Sequence, residues 1–131
     1  MKIEHLAFIT REPREVAAWY CQHLGFTVKR KLDRSPDTHF LADESGRVMV
    51  EIYNNPKVTL PDYWSMDPLV LHLAFSVEDV PAERKRLIGA GASPEGDAQI
   101  TADGDTVAML RDPWGFPVQL VKRAEPMVPQ D

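Results

Sequence analysis

The chain has 131 residues, 44% of them hydrophobic and 27% charged, a composition that suits one folded domain with a real core and excludes bulk disorder and fibrous repeats. Fifteen Lys and Arg against 20 Asp and Glu give a net charge of −5 and a pI near 5.3, the wrong sign for a protein that displaces counterions from phosphates, so nucleic acid is disfavoured as a partner. No apolar run approaches the ~18 residues of a membrane span and the start MKIEHLAFIT lacks the flanks of a signal peptide, so the expectation is a cytoplasmic protein with no membrane partner.

In chain order, IEHLAF is a short apolar segment of strand length, expected near 2–9. Val16, Trp19, Tyr20 and Leu24 then recur at steps of three and four, which predicts a helix near 13–23 with Gly25 as its C-terminal cap. Cys21, the lone cysteine, rules out an internal disulfide and a cysteine zinc cluster and reads as a small buried hydrophobe on that helix. His23 reads as a surface or boundary residue of the same helix. Strands are expected near 38–43 and 47–54, joined by the turn DESG, whose Asp-first, Gly-fourth order suits a type I turn.

Residues 55–68 hold three prolines and little periodicity, and read as a connection. Trp64 and Met66 are too apolar for a plain linker; they either cover the core or close over a site. A strand near 70–76, a helix near 79–89 capped by Asp79 with Pro81 in its first turn, and strands near 106–111 and 117–123 around the turn DPWG complete the pattern. The tail RAEPMVPQD, with prolines at 126 and 129, reads as a loosely held end.

This series is one unit given twice. HLAF stands at His5–Phe8 and again, letter for letter, at His72–Phe75, and the register holds downstream: Leu41, Asp43 and Gly46 align with Leu110, Asp112 and Gly115. The fold class predicted is therefore α+β, a single domain over 1–131 built of two βαβββ modules, 1–54 and 69–123, joined by 55–68. Side chains alternate along strands, which puts His5 opposite Leu6 and Phe8, His72 opposite Leu71, Leu73 and Phe75, and Glu51 and Gln119 on the faces their modules share with the histidines. The helices should cover the bulkier sets. Four polar groups at one repeated structural address in apolar strands cost several kcal/mol unless something compensates them, and a divalent cation would do so.

The motifs HLAF with its following helix, AWYCQHLGF, VEIYN, HLAFSVEDV and DPWGFPVQL resemble those of the vicinal oxygen chelate superfamily, which includes glyoxalase I, methylmalonyl-CoA epimerase, extradiol dioxygenases and bleomycin-resistance proteins. The resemblance spans roughly residues 1 to 123. It implies a cup-shaped mixed sheet made of two βαβββ modules, the glyoxalase-like fold. It also implies one divalent metal ion (Zn, Ni, Co, Mn or Fe) held by His5, Glu51, His72 and Gln119, a small-molecule substrate and a homodimer, with the cup closed within one chain or across two. Two His, one Glu and one amide look most like the glyoxalase I and epimerase sets. Where most catalytic members carry a glutamate on the last strand, this chain has Gln119.

Glyoxalase-type chemistry removes a proton beside a carbonyl, and Glu51 is the one carboxylate in the set, so Glu51 is the expected catalytic base as well as a ligand. His39, Arg111 and Trp64 are the expected substrate-binding residues. His39 is an auxiliary base if it faces the cup and otherwise an exposed strand histidine. Arg111 either takes a substrate carboxylate or phosphate, or is solvated. Two classes stay open beside the isomerase or lyase: a ring-cleaving non-haem iron dioxygenase, and a metal-free binding or resistance protein on the same fold.

Overall fold

The structure is a computed structural model that describes residues 1–129; of the expected loose tail, Gln130 and Asp131 lie outside the described residues. The chain divides into two compact units, residues 1–61 and residues from 62 onward. Among the described residues no helix is long and apolar enough to cross a membrane.

The first unit contains β1 (His5–Ile9), α1 (Pro13–His23), β2 (Thr27–Lys31), β3 (His39–Ala42) and β4 (Met49–Tyr53). Its sheet has the order β1-β4-β3-β2, with β1 and β4 parallel and the other pairs antiparallel. A parallel pair requires a crossover, and α1 with the β2–β3 excursion supplies it. Val16, Ala17 and Tyr20 form the buried stripe of α1, and Tyr20 rests between the rings of Phe8 and Phe26. Burying a side chain of that size fully stabilises the fold by roughly 1.5–3 kcal/mol. The opposing sheet face is Phe8, Leu41, Val50 and Ile52, all buried.

The second unit repeats the plan with β5 (Leu73–Ser76), α2 (Val80–Gly89), β6 (Ser93–Ile100), β7 (Thr106–Arg111) and β8 (Pro117–Lys122), in the order β5-β8-β7-β6 and again with one parallel pair, β5 with β8. Asp79 caps α2 by accepting from the Ala82 amide at 3.0 Å. α2 buries Val80 and Leu87 over Ala108, Leu110, Val118 and Leu120. The turns are those the sequence called for: the amides of Gly46 and Gly115 each donate to the carbonyl of the turn's Asp at 3.0 Å, with φ of +68° and +91°. Asp112 adds side-chain acceptance from the amides of Trp114 and Phe116 at 2.9 Å.

The α+β class and both helices match expectation. Two strands, β2 and β6, complete the modules without having been located from the residues. β2 (TVKRK) is exposed along its whole length and carries no buried face to reveal it. β6 (SPEGDAQI) contains Pro94, Gly96 and Asp97, residues that read as breakers, and its register with β7 shifts between Glu95 and Gln99. The helices also miss part of the apolar set assigned to them: Leu6 and Leu71 remain 42% and 37% exposed. β1 and β5 are sheet edges, and each helix packs mainly over the other three strands of its sheet.

The connection at 55–68 is not a free linker. It holds a short 3-10 turn, Tyr63–Ser65, and the buried Arg111 guanidinium donates to the carbonyls of Tyr63 at 2.6 Å and Met66 at 2.8 Å. Tyr63 is itself buried, with its ring edge-on to Phe116.

Candidate functional site

On β4, Glu51 is registered with Ala7 on β1 and with Phe40 on β3, so these three side chains share the face turned away from α1. His5 lies two residues before Ala7, on the same face. Its ring stands edge-on to Phe40, with centroids 5.6 Å apart, and its Nε2 lies 3.1 Å from Glu51 Oε2. The other ring nitrogen, Nδ1, is in hydrogen-bond contact with the Glu4 carboxylate.

That arrangement constrains the protons. Glu4 as a carboxylate only accepts, so Nδ1 carries the hydrogen, and Nε2 then meets Glu51 lone pair to lone pair unless a proton or a cation lies between them. The hydrogen bond that the ring donates to Glu4 is the largest effect on the His5 pKa and raises it above its ordinary 6.5; desolvation opposes it, and the charges of Glu4 and then Glu51 add to the rise.

The second unit repeats the register. Gln119 on β8 is registered with Ala74 on β5 and Met109 on β7, and His72 lies two residues before Ala74, as His5 does before Ala7. His72 falls just outside β5, and its half-buried ring places Nδ1 2.8 Å from the Pro68 carbonyl. A carbonyl accepts and cannot donate, so neutral His72 holds its proton on Nδ1 and its lone pair on Nε2. Both histidines are thus oriented through Nδ1 by an oxygen outside the strand, which is how metal-binding imidazoles are commonly held.

Within neither unit do three His, Cys, Asp or Glu side chains of the described residues assemble as a metal-ion group. The first unit brings His5 and Glu51 into contact, whereas in the second His72 and Gln119 are related by strand register alone. The donor chemistry of the four, two imidazoles, one carboxylate and one amide oxygen, fits a first-row divalent ion.

The remaining expected site residues lie elsewhere. His39 is registered with Ile52, on the α1 face opposite Glu51; it is neither an exposed strand histidine nor a base on the Glu51 face, but is buried with Nδ1 2.9 Å from the Asp37 carbonyl. Arg111 is not solvated and not free for a substrate anion. It pairs with Glu95 and also donates to the carbonyls of Tyr63, Met66 and Gly115, which commits its guanidinium to holding the connection. Trp64 is half exposed, with its ring laid on the backbone of Gly115, where an added Cβ would come within 2.6 Å of it. Cys21 is partly buried, and desolvation pushes its thiol up, away from the reactive thiolate.

Sequence reasoning missed Glu4 and the Pro68 carbonyl. Glu4 was signalled by its place directly before His5; the carbonyl had no signal, because a backbone group reveals nothing in one-letter code.

Residues 2–120 match the Glyoxalase/Bleomycin resistance protein/Dioxygenase superfamily. A relative in Escherichia coli (strain K12), the uncharacterized protein YaeR, is 26% identical, the match covering 93% of this chain and 96% of YaeR. The crystal structure of SMU.1112c is similar with a TM-score of 0.72 and 30% identity over 93% of this chain and 98% of that one. That of TnmS3, an antibiotic binding protein from Streptomyces sp. CB03234, matches in fold with a TM-score of 0.73 and 17% identity, over 95% and 97% of the two chains.

Proposed function

Since the chain belongs to the Glyoxalase/Bleomycin resistance protein/Dioxygenase superfamily, we propose that it is a metal-dependent isomerase or lyase of the glyoxalase type, moving a proton beside a carbonyl of a small-molecule substrate. His5, Glu51, His72 and Gln119 are the ligands, each unit contributing one pair, supplied by one chain or by two chains of a homodimer. The observation that carries this reading is the His5–Glu51 pair, whose facing lone pairs at 3.1 Å call for a positive charge between them.

The metal, when bound, supplies positive charge that stabilises negative charge developing on the substrate oxygen. The chain's own residues supply the rest. Glu51 is the one carboxylate of the set, and it accepts the proton from the carbon beside the carbonyl and returns it to the neighbouring carbon, a one-base isomerisation. Ala7 and Phe40 flank Glu51 with apolar surface. Gln119 cannot take a proton, so its roles are to ligate through its amide oxygen or to donate from its amide to a substrate oxygen. Half-exposed Trp64 offers an apolar surface for the substrate.

The test is exchange of a substrate C–H with deuterated water by the metal-loaded protein, using methylglyoxal–thiol adducts and other small 2-oxo compounds. Exchange that depends on metal and is lost in Glu51→Gln supports the reading. A second reading, binding without turnover, is favoured by Gln119 standing where most catalytic members hold a carboxylate, and by the fold shared with an antibiotic binding protein. Tight ligand binding with no exchange for any carbonyl compound would support it. Oxygen uptake with a catechol would instead point to ring cleavage.

A further inference from the structure

At the C-terminal ends of β1 and β4, away from His5, lies a cleft of about 380 Å3 in the first unit. Three arginines line it, Arg11 after β1, Arg14 in the first turn of α1 and Arg34 in the loop between β2 and β3. In a chain of net charge −5, three arginines around one cleft run against the overall balance. One carboxylate answers them: Asp37, whose oxygens accept from Arg14 Nε at 3.1 and 3.2 Å. Among the described residues the Arg11 and Arg34 guanidinia have no partner, so the lining carries two uncompensated positive charges.

The walls are fixed in place. The Asn54 side chain donates to the Arg11 carbonyl at 3.2 Å and the Asn54 amide donates to the Pro36 carbonyl at 2.8 Å, tying the ends of β1 and β4 to the 34–37 loop. Asp37 sits at φ +55° with its amide on the Arg34 carbonyl at 2.6 Å, which closes that loop as a tight turn. The first turn of α1 at the same cleft has no side-chain cap on its amides, and Glu15 in that turn answers the helix dipole.

The geometry points to a binding site for a phosphate monoester of metabolite size. Two uncompensated guanidinium charges match the roughly −1.5 to −2 of a phosphate monoester at neutral pH, and the planar forks of arginine suit its oxygens. A cleft of 380 Å3 lies within the ordinary range for small-ligand pockets and has room for an organic group beyond the phosphate. This site stands apart from the His5–Glu51 pair, and its existence does not depend on metal binding.

The test is calorimetric titration with inorganic phosphate, glycerol 3-phosphate and succinate, with amide shifts of Asp37 and Asn54 followed by NMR. Glycerol 3-phosphate should bind, more tightly than inorganic phosphate or succinate, and shift both amides. Arg11→Gln and Arg34→Gln should each weaken it about tenfold or more, the loss expected for a charge-assisted hydrogen bond. Both side chains are exposed and unpartnered, so the variants should fold as the parent does; a circular dichroism spectrum and unfolding midpoint check this. No binding of glycerol 3-phosphate, binding that both variants leave unchanged, or a preference for succinate would each overturn the assignment.

Discussion

His5 Nε2 faces Glu51 Oε2 at 3.1 Å while Glu4 holds the opposite ring nitrogen, so one imidazole lies between two carboxylates. In the metal-free protein this raises the His5 pKa, with Glu4 the largest cause. Below the raised pKa the proton occupies Nε2 and competes with metal; above it the lone pair is free. Metal affinity should therefore fall as pH drops through a value above 6.5. Glu4→Gln should move the His5 titration down, as followed by the imidazole NMR signals. It should also weaken metal binding by about tenfold or more, the usual cost of losing a partner behind a ligating histidine. An unmoved His5 titration would show that Glu4 does not hold the ring.

Arg111 is 4% exposed and is the point at which the connection is fastened to the second unit. Arg111→Met would strand the carbonyls of Tyr63, Met66 and Gly115 and remove the partner of Glu95. A loss on the order of 3 kcal/mol is expected in chemical denaturation. Arg111→Lys should recover little of it, since an ammonium cannot reproduce the fork. A loss below 1 kcal/mol would mean that the connection is held by other contacts.

Gly46 and Gly115 occupy the same position in the two repeated turns and differ in what surrounds them. An added Cβ at Gly46 meets nothing within 4 Å, so Gly46→Ala should cost only about 1 kcal/mol for the left-handed backbone. At Gly115 the same Cβ would press into the Trp64 ring at 2.6 Å. Gly115→Ala should cost clearly more and red-shift the tryptophan emission as Trp64 is pushed out. Equal costs with no spectral change would contradict the packing of Trp64 on this turn.

Much of this was legible in the residues because duplication marks equivalent positions. HLAF given twice set the two histidines in register, and period-two alternation then carried Glu51 and Gln119 to matching faces. What escaped were features with no side-chain signature. The β2 segment has no buried face, and β6 is carried by ladder hydrogen bonds despite Pro94 and Gly96. His39 went to the helix face because its register with Ile52 depends on where β3 begins, and a shift of one residue reverses every side chain. Arg111 was ambiguous because its partners are mostly backbone carbonyls.

Asp105 ties down the start of the C-terminal tail, accepting from the Ala124 amide at 2.9 Å and from Arg123 at 2.6 Å. The backbone bond, then Arg123, lowers its pKa from the ordinary 3.8. Its stabilisation is complete above that ordinary value and disappears as pH falls through the lower folded value. Asp105→Asn should thus reduce stability at pH 7 slightly and leave it unchanged near pH 2, as measured by unfolding midpoints. A deficit that persists at pH 2 would show a role other than charge.

We propose that His5, Glu51, His72 and Gln119 together hold one divalent ion. The decisive measurement is calorimetric titration of the metal-stripped protein with Zn(II), Ni(II) and Mn(II). One equivalent should bind per chain; His5→Ala and His72→Ala should each lose a hundredfold or more in affinity, and Gln119→Ala should lose less, because an uncharged amide oxygen is the weakest donor of the four. Failure of the parent protein to bind any of the three ions, or equal and negligible losses for His72→Ala and Gln119→Ala, would contradict it.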